Sequence, residues 1–288
     1  MTPLAELIDR HARSDFRTSI SGLALSKIQT SEPDHELTEP LFVVMAQGAK
    51  RLLLGEQQFE YRAGDYLVVT TDLPVTGHFV DATRTNPALG LGLALRPEDI
   101  APLLLRAPGG RAPDNLPTLA TGTADAALLD AVTRLVRLLD HPDDAPVLAP
   151  LVVTEILWRL LTGPHGPLLR RIGTPDSDLS HVNRAIRWIR SNYAEPLRID
   201  DLAQRAGMSP SAFHRRFRAL TAMSPLQFQK RIRLQEARAL LVADAGDVAR
   251  VGHLVGYDSP SQFSREYRRQ FGAPPGQDAT RLRTAEAR

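Results

Sequence analysis

The sequence predicts an α+β fold in which an antiparallel β-barrel or sandwich with flanking helices precedes an all-α domain. Three observations predict this division of the 288 residues. Short apolar runs separated by turn residues fill residues 18–95, a ten-residue pattern occurs twice near the C-terminus, and the two parts of the chain carry net charges of opposite sign. A chain of this length can bury two separate cores, so we expect two domains.

The N-terminal region is expected to begin with an amphipathic helix at residues 3–13 and to continue as strands. The apolar runs that predict strands are residues 41–46, 51–54, 59–61, 66–70, 78–80 and 88–95. Gly55-Glu56 and Ala63-Gly64-Asp65 lie where tight turns are required. Strands this short and this closely spaced favour an antiparallel barrel or sandwich.

Helical periodicity returns after the strands, at residues 97–105, 124–139 and 147–161. Residues 163–177 are rich in Gly and Pro and are interpreted as an interdomain linker, which places the boundary near residue 177. We therefore expect a first domain of residues 1–177, with helices at its C-terminal end, and a second domain of residues 178–288.

Composition disfavours several classes of protein. The chain contains no cysteine, which excludes disulfides and thiolate metal sites. The first residues lack the basic and apolar segments of a secretory signal. The most apolar stretch, residues 147–161, contains Pro150, Glu155 and Arg159 and is shorter than the roughly 20 residues that span a bilayer. We expect a soluble cytoplasmic protein without a membrane partner.

The C-terminal repeat is the most informative motif of the chain. Its two copies, separated by 50 positions, are SPSAFHRRFR from Ser209 and SPSQFSREYR from Ser259. Each copy follows a glycine, Gly207 or Gly256, that ends a short helical stretch. A serine before a proline fits an N-cap followed by the first helical position. The repeat predicts two helix-turn-helix units, at about residues 200–219 and 248–271.

The apolar residues of the repeat define one face of each second helix. Phe213 and Phe217 are spaced i, i+4, and so are Phe263 and Tyr267. This spacing leaves Arg215 and Arg265 on the opposite face. An ordinary helical hairpin with a solvated arginine-rich face is the alternative to a DNA-binding unit.

A linker helix is predicted between the two units, from Ser224-Pro225 to about Val242. About 18 helical residues make a rod of roughly 27 Å, which is comparable with the roughly 34 Å repeat of successive major grooves. Its apolar residues fall on two sides, which are Phe228 and Ile232 on one and Leu234, Ala237 and Leu241 on the other. A single chain of this design could contact two adjacent groove segments.

The charge distribution supports a nucleic-acid partner for the second domain only. Residues 181–288 contain 19 Lys and Arg against 10 Asp and Glu, and the rest of the chain contains 16 against 23. The net charges are therefore +9 and −7. A basic domain beside an acidic one is the pattern expected when one end of a protein binds phosphates.

The C-terminal region, from about residue 183 to 283, resembles the AraC/XylS transcriptional regulators. The resemblance is carried by Leu202-Ala203, Gly207-Met208-Ser209, Phe213, Phe217, Arg233-Leu234, Ala237-Arg238, Val255-Gly256-Tyr257, residues 259–265, Tyr267, Phe271-Gly272 and Pro274-Pro275. The N-terminal segments Gln47-Gly48-Ala49-Lys50 and Gly64-Asp65-Tyr66-Leu67-Val68 resemble the cupin-like domain in front of one subgroup of these regulators. Gly252 departs from the alanine usual in the family, and because a helical glycine costs about 1 kcal/mol relative to alanine, we expect a looser second unit.

The resemblance implies which side chains contact double-stranded promoter DNA. The implied base-contacting residues are Ser211, His214, Arg215, Ser261, Ser264 and Arg265. The implied phosphate-contacting residues are Arg216, Arg218, Arg268 and Arg269. Arg215 and Arg265 are the main candidates, since an arginine fork can bond to O6 and N7 of guanine together. The alternatives are a solvated surface charge for each arginine and a contact to backbone or water for His214.

The resemblance also implies that the N-terminal barrel senses a small-molecule effector and that RNA polymerase is a partner, and a homodimer is left open. The effector would bias how the helices of residues 124–161 pack against the DNA-binding half or a second copy. Two alternatives remain, namely that these helices only cover the barrel and that the regulator has no effector.

An enzyme is the rival interpretation, because many cupin-like barrels hold a catalytic metal. The strand region contains only two histidines, His35 and His78, with no His-x-His pair and no Glu at ligand spacing. We therefore expect no enzymatic activity, no metal and no cofactor. His78, beside Phe79, is a weak candidate for lining an effector cavity, and its alternative is a satisfied or surface histidine.

Overall fold

The computed structural model describes residues 1–108, 113, 116–175, 177–243 and 247–286. The chain divides into two compact units, and each is described by itself. The first contains Met1–His181 and Ala219–Ala222, and the second contains Val182–Arg218 and Met223–Arg288. The first is built on antiparallel sheets and the second is helical, which confirms the predicted α+β fold class.

The described part of the first unit contains nine strands in two antiparallel sheets. The strands are β1 (Leu23–Ile28), β2 (Asp34–Leu37), β3 (Leu41–Gln47), β4 (Ala49–Leu54), β5 (Gln57–Arg62), β6 (Asp65–Val69), β7 (Pro74–Val80), β8 (Ala88–Ala94) and β9 (Leu119–Thr123). One sheet has the order β1-β8-β3-β6-β9 and the other has the order β2-β7-β4-β5. Both sheets contribute buried residues such as Leu25 and Leu52, so the core lies between them.

Six strands correspond to the predicted apolar runs, and β1, β2 and β9 do not. β1 lies in the region expected to be rich in strands but was not assigned. β2 pairs with β7, which places His35 opposite Thr76, and β9 pairs with β6 after a long connection. The strand conformation of β2 and β9 therefore comes from long-range pairing, because neither segment has a clear apolar alternation.

The helices of the first unit pack on one another, and the N-terminal helix also contacts β1, β3 and β8. They are α1 (Pro3–His11), α2 (Pro97–Leu104), α3 (Ala126–Arg137), α4 (Ala145–Thr162), α5 (Gly166–Gly173) and the first residues of α6 (Asp178–Ser191). Thr2 and Asp125 cap α1 and α3, since their side chains accept hydrogen bonds from the N–H groups of Ala5 and Leu128 at 3.2 and 2.7 Å. The four predicted helices of this region are α1 to α4.

The interpretation of residues 163–177 as a linker is wrong for its central part, which is α5. Pro167 lies in the first turn of this helix, where a missing N–H costs nothing. Leu168 and Leu169 are buried, and a Cβ atom on Gly173 would lie 2.9 Å from Cγ2 of Ile100. The helix therefore packs closely on α2, and three of the residues that suggested a linker, Gly166, Pro167 and Gly173, belong to a packed helix.

α4 is longer than the predicted 147–161 segment. By length and composition alone it is apolar enough to cross a membrane, and 33% of its apolar window is buried within the structure. Glu155 lies near its middle and forms ion pairs with Arg134 of α3 at 2.6 Å and with Arg159 at 2.7 Å. Val147 and Leu151, on its N-terminal half, are exposed.

Among the described residues, the second unit contains most of α6, most of α8 (Pro210–Thr221) and five further helices. These are α7 (Ile199–Arg205), α9 (Pro225–Ala243), α10 (Val248–Leu254), α11 (Pro260–Phe271) and α12 (Pro275–Glu286). α9 is the predicted linker helix, and two of its sides are buried. On one side the rings of Phe228 and Phe217 lie 5.4 Å apart, and on the other Leu234, Ala237 and Leu241 join one core cluster with residues of α10 and α11. The predicted packing on two sides is therefore observed.

Candidate nucleic-acid interface and barrel cavity

The first helix-turn-helix unit consists of α7, a turn at Gly207 and α8. Gly207 has a φ angle of +66°, a left-handed conformation that favours glycine. Oγ of Ser209 accepts a hydrogen bond from the backbone N–H of Ala212 at 3.4 Å, so Ser209 is the N-cap of α8. Phe213 and Phe217 are fully buried. The cap and the turn therefore start α8 at the residue that the sequence pattern indicates.

The second unit repeats this arrangement with α10, a turn at Gly256 and α11. Gly256 has a φ angle of +89°. Oγ of Ser259 accepts a hydrogen bond from the N–H of Gln262 at 3.3 Å, and Phe263 and Tyr267 are fully buried. The sequence repeat is thus a structural repeat, since its turn glycine, its cap and its buried aromatic residues take the same roles twice.

The second helix-turn-helix unit is packed tightly at Gly252, where the sequence analysis expected a looser packing. Gly252 is buried in α10, and a Cβ atom there would lie 3.0 Å from Cδ1 of Phe263. A contact that short would force the neighbour to shift. The missing side chain therefore lets α11 approach α10 closely, a gain that opposes the helix-propensity cost of glycine.

The residues expected to contact bases lie on one face of each recognition helix, α8 or α11. In both copies they are spaced i, i+3 and i+4, which brings side chains to the same side of a helix. They are Ser211, His214 and Arg215 in α8 and Ser261, Ser264 and Arg265 in α11. Ser264 is half-buried and the other five are exposed. Each recognition helix therefore presents a short polar face with one arginine, away from its buried aromatic residues.

The residues expected to contact phosphates are less uniform. Arg218 and Arg268 occupy equivalent positions of the repeat, and both are exposed, as is Arg269. Arg216 is half-buried. Its equivalent in the second copy is not an arginine but Glu266, so the two units differ in charge at this position.

Glu266 is the centre of a polar cluster that joins α11 to α9, and the sequence analysis missed it. Its carboxylate lies 2.9 Å from Nζ of Lys230 in α9 and accepts hydrogen bonds from the Tyr257 hydroxyl at 2.9 Å and from Nε2 of Gln262 at 3.4 Å. Burial acts to raise the pKa of Glu266, but these three hydrogen bonds outweigh it and lower the pKa. The signal in the sequence was the change from arginine to glutamate between the two copies.

A second polar cluster joins α9, α11 and α12 around Asp278. This carboxylate is fully buried, and it accepts hydrogen bonds from Nε of Arg238 at 2.8 Å, from Nη2 of Arg281 at 2.9 Å and from the Tyr267 hydroxyl at 3.0 Å. Burial would raise the pKa of Asp278, but its hydrogen-bonded arginines lower it. The second recognition helix is therefore held from two sides by buried or half-buried charges.

The turn of the second unit also contacts the segment that follows α6. A Cβ atom on Gly256 would lie 2.3 Å from the carbonyl oxygen of Ala194. Arg233 of α9 donates to the carbonyl oxygens of Tyr193, Ala194 and Gly256 at 2.6, 3.1 and 2.8 Å. One guanidinium group therefore fixes this turn against the rest of the second unit.

The first unit has a partly open cavity of about 200 Å³ between its two sheets. Most of its lining is apolar, and its polar lining includes Lys50, Glu36 and Tyr61. Lys50 is 9% exposed, and its Nζ atom lies 3.0 Å from Oε1 of Glu36 and 4.8 Å from the centre of the Phe79 ring. Burial raises the pKa of Tyr61, which lies opposite Lys50 in the sheet, to about 12. The sequence analysis did not single out these three polar residues.

The two histidines of the strand region have other surroundings. Phe79 lines the cavity, whereas its neighbour His78 is not part of the lining, as expected for successive residues of a strand. Nδ1 of His35 lies 2.9 Å from Oγ1 of Thr76 on the paired strand. Among the described residues, no group of three or more His, Asp or Glu side chains is arranged to hold a metal ion.

Comparison with protein-family models gives two matches that together cover most of the chain. Residues 19–168 match the AraC-type transcriptional regulator N-terminus, and residues 202–281 match a helix-turn-helix domain. The first match alone covers more than half of the sequence. The two matched segments coincide with the sheet-containing part of the first unit and with the two helix-turn-helix units.

Curated relatives are similar over part of their length. The HTH-type transcriptional regulator ExsA of Pseudomonas aeruginosa is 28% identical over 165 residues, which is 57% of this chain and 59% of ExsA. The HTH-type transcriptional activator RhaS of Salmonella paratyphi A is 28% identical over 153 residues, 52% of this chain and 53% of RhaS. The chain thus matches little more than half the length of these relatives.

Solved structures of ToxT from Vibrio cholerae share the fold. The structure of ToxT bound to an unsaturated fatty acid has a TM-score of 0.60 and 9% identity, and the match covers 91% of this chain and 96% of ToxT. Another ToxT structure has a TM-score of 0.55 and 10% identity, with 90% and 96% covered. The arrangement of a sheet domain followed by a helical domain is therefore common to both proteins.

Proposed function

Because this chain belongs to the AraC-type transcriptional regulators, we propose that it binds promoter DNA sequence-specifically through its two helix-turn-helix units. The observation that carries the proposal is the structural repeat, in which two capped recognition helices present the same polar face with one exposed arginine. The net charge of +9 on residues 181–288 supports a polyanionic partner. The two recognition helices would occupy successive major grooves.

The proposed division of labour follows the position of each side chain on its helix. Base edges are contacted by Ser211, His214, Arg215, Ser261, Ser264 and Arg265, and phosphates are contacted by Arg216, Arg218, Arg268 and Arg269. The first set shares one face with the spacing that a groove requires. The second set flanks that face and sets register and affinity without reading sequence.

Residues 1–177 are proposed to form the sensor domain, and residues 178–288 the DNA-binding domain. The cavity between the two sheets supports a small-molecule effector. A structure of ToxT, which shares the fold, holds an unsaturated fatty acid, and this supports an effector within the same architecture. Effector binding would bias DNA binding by favouring one of two states of the protein.

The remaining parts of the proposal concern partners and location. The family is one of transcriptional regulators, and we extend this to a protein without enzymatic activity that acts in the bacterial cytoplasm and contacts RNA polymerase. The exposed apolar residues of α4, Val147 and Leu151, are compatible with a homodimer. In this proposal α4 is a packing helix of the sensor domain, which the ion pair of its Glu155 with Arg134 of α3 supports.

In vitro selection of binding sites from a random duplex library, followed by footprinting, tests the proposal with the full chain. We expect selected duplexes to share two short conserved segments whose centres lie about 10 bp apart, with a protected stretch that spans both. A single short protected patch would contradict two-unit docking. Equal displacement by heparin from selected and random duplexes would contradict sequence-specific binding.

A further inference from the structure

The barrel cavity has two chemically different walls. The β1-β8-β3-β6-β9 sheet contributes an apolar wall that includes Leu25, Leu67 and Leu91. The β2-β7-β4-β5 sheet contributes the ion pair of Glu36 and Lys50, and Lys50 has an aromatic residue on each neighbouring strand, Phe79 on β7 and Tyr61 on β5. A molecule in this space would therefore meet hydrocarbon along most of its surface and hydrogen-bonding groups at one end.

The volume of the cavity limits the size of its ligand. At about 200 Å³ it is smaller than the roughly 300–1,000 Å³ of pockets for drug-sized ligands. It is slightly larger than an apolar cavity of about 150 Å³ that binds benzene. The cavity therefore holds about ten non-hydrogen atoms of a ligand, and only part of a long lipid chain fits inside it.

The position of Lys50 is built into the sheet. Lys50 lies on β4, and a Cβ atom on Gly77 of the neighbouring β7 would lie 2.7 Å from its Cε atom. The absence of a side chain at Gly77 therefore makes room for the lysine stem. The ammonium group has three donors, of which the hydrogen bond to Glu36 uses one. Because Lys50 lines the cavity, its other donors can serve an acceptor on a ligand.

The charges at this end of the cavity disfavour ionic ligands. Asp34 and Glu36 both line the cavity beside Lys50, so one cation faces two carboxylates. A ligand carboxylate would compete with Glu36 for Lys50 and would be repelled by both acidic side chains. A ligand cation would be attracted by the second carboxylate, but it would lie beside the Lys50 ammonium and would lose its hydration in a mostly apolar space. An uncharged group avoids both penalties.

Covalent capture by the lysine is also disfavoured. An imine forms from a neutral amine, and the protonated ammonium of Lys50 is stabilised by its partner Glu36 at 3.0 Å. Burial would lower the pKa of Lys50, but Glu36 and Tyr61 outweigh that effect and raise the pKa. Lys50 is therefore a hydrogen-bond donor in this cavity rather than a nucleophile.

From this geometry we infer that the cavity binds a small uncharged molecule, about the size of a substituted benzene, whose single hydroxyl or carbonyl group accepts a hydrogen bond from Lys50. The inference rests on the proposed sensor function of the first unit and specifies its class of effector. It selects neutral alcohols and carbonyl compounds over the corresponding carboxylates. A long-chain fatty acid is disfavoured by both its size and its charge.

Matched probes separate these possibilities in binding titrations with the full chain at neutral pH. Benzyl alcohol and benzoate differ mainly in charge, toluene lacks the hydrogen-bonding group, and oleate tests a long acyl chain. Followed by calorimetry or ligand-observed NMR, benzyl alcohol is expected to bind at least about tenfold more tightly than benzoate, which corresponds to the roughly 1.4 kcal/mol that separates tenfold affinities. Equal or tighter binding of benzoate or oleate would overturn the inference, and so would no binding of benzyl alcohol.

Two substitutions test the polar end of the cavity. Lys50→Met is expected to reduce the affinity for benzyl alcohol several-fold and to leave that for toluene unchanged. The control is Lys27→Met, which removes a lysine of β1 whose ion pair with Asp9, at 2.7 Å, lies outside the cavity lining. Glu36→Gln keeps the lysine and is expected to narrow the preference for alcohol over carboxylate. Unchanged alcohol binding in Lys50→Met, with a folded protein, would overturn the assignment of Lys50.

The same samples distinguish this inference from the proposed function. Each probe is added to a complex of the protein with a selected duplex, and DNA affinity is measured. If benzyl alcohol binds but DNA affinity and transcription do not change, the ligand class holds and the regulatory role of the cavity fails. If DNA is bound specifically but the alcohol does not bind, the ligand class fails and the DNA-binding function holds.

Discussion

Oε1 of Glu266 lies 2.9 Å from Nζ of Lys230, and this ion pair joins the second recognition helix to the helix that connects the two units. The equivalent residue of the first recognition helix is Arg216. One position of the repeat therefore serves the attachment of α11 to α9 in the second unit, while in the first it carries a cation. The two copies therefore differ in charge at this position, while the exposed polar face of each recognition helix keeps one arginine, Arg215 or Arg265.

We expect Glu266→Gln to weaken DNA binding at the half-site of the second unit several-fold. Glutamine keeps the size of the side chain but loses the charge that Lys230 pairs with, so α11 would be less firmly oriented on α9. Footprinting of each half-site separately measures this effect. Asp258→Asn, an exposed change of the same charge in the same unit, controls for the increase in net positive charge. Equal weakening of both half-sites would contradict a local role.

Arg215→Ala and Arg265→Ala are each expected to cost about 1–3 kcal/mol of DNA-binding free energy and to relax the preference at one base pair. Each change removes an arginine from the exposed face of its recognition helix, and the two affected base pairs should lie in different half-sites. Binding titrations on a set of single-base variants of the selected duplex measure both quantities. An unchanged affinity and preference for Arg215→Ala would show that the docking face is assigned wrongly.

Arg218→Ala and Arg268→Ala are expected to weaken binding to all duplexes alike. If each arginine meets one phosphate, the slope of log K against log salt should become less steep by about 0.9. Titrations at several salt concentrations, on selected and random duplexes, measure this slope. Arg84→Ala, an exposed arginine of the first unit, is the matched control and should leave the slope unchanged. A loss confined to selected duplexes would instead identify a base contact.

The two helix-turn-helix units could be predicted from the sequence because their signals are local. A cap such as Ser259, a turn glycine and an i, i+4 aromatic pair all lie within about a dozen residues of one another. β2 could not be predicted in this way. Its residues Asp34, His35 and Glu36 show no apolar alternation, and they form a strand because β7, some 40 residues later, offers a pairing edge.

The barrel cavity shows the same limit for side chains. His78 was chosen as a candidate because histidine can bind ligands, but the register of a strand determines whether a side chain faces the core. The register places Lys50 opposite Tyr61 and Phe79, and all three line the cavity. Sequence alone does not give that register, so Lys50 was named only as part of a family motif and not as a cavity residue. For residues 163–177, Gly and Pro predicted a linker, but these residue types also occur at the start and end of packed helices. Composition alone therefore could not distinguish the two.

Removal of the Asp278 carboxylate is expected to lower the free energy of unfolding of the second compact unit, which contains α12, by about 3 kcal/mol. Asp278→Asn leaves Arg238, which is 13% exposed, without its buried partner. The pKa of Asp278 is lowered in the folded protein, so its contribution is complete above the ordinary aspartate pKa of about 3.9. It is lost as the pH falls below that value.

The difference in unfolding free energy between wild type and Asp278→Asn should therefore be constant near neutral pH and should shrink below about pH 4. Denaturant titrations at a series of pH values measure this difference, with hydrogen exchange of α11 and α12 as the signal of unfolding. Asp201→Asn, an exposed carboxylate of α7, is the control and should change stability little. A difference that grows on acidification would mean that the carboxylate is protonated in the folded state.

The two glycines that flank α11 separate backbone strain from steric contact. Gly256 and Gly272 have φ angles of +89° and +79°, so alanine at either position costs about 1–2 kcal/mol for the left-handed conformation. Within the described part of the chain, a Cβ atom at Gly272 meets no atom within 4 Å, whereas at Gly256 it would lie 2.3 Å from the carbonyl oxygen of Ala194. We expect Gly272→Ala to lose only the conformational cost and Gly256→Ala to lose at least about twice as much.

Hydrogen exchange of the α10 and α11 peptides in the full chain measures the loss of stability that each substitution causes in the second helix-turn-helix unit. Because the conformational cost is shared, the difference between the two variants isolates the contact between the turn and the segment after α6. Gly256→Ala should also weaken DNA binding at the second half-site, since the carbonyl of Gly256 accepts a hydrogen bond from Arg233 of α9 at 2.8 Å. Equal losses in the two variants would show that this turn can move away from Ala194 at no cost, and the orientation of α11 would then depend on the Glu266 and Asp278 clusters alone.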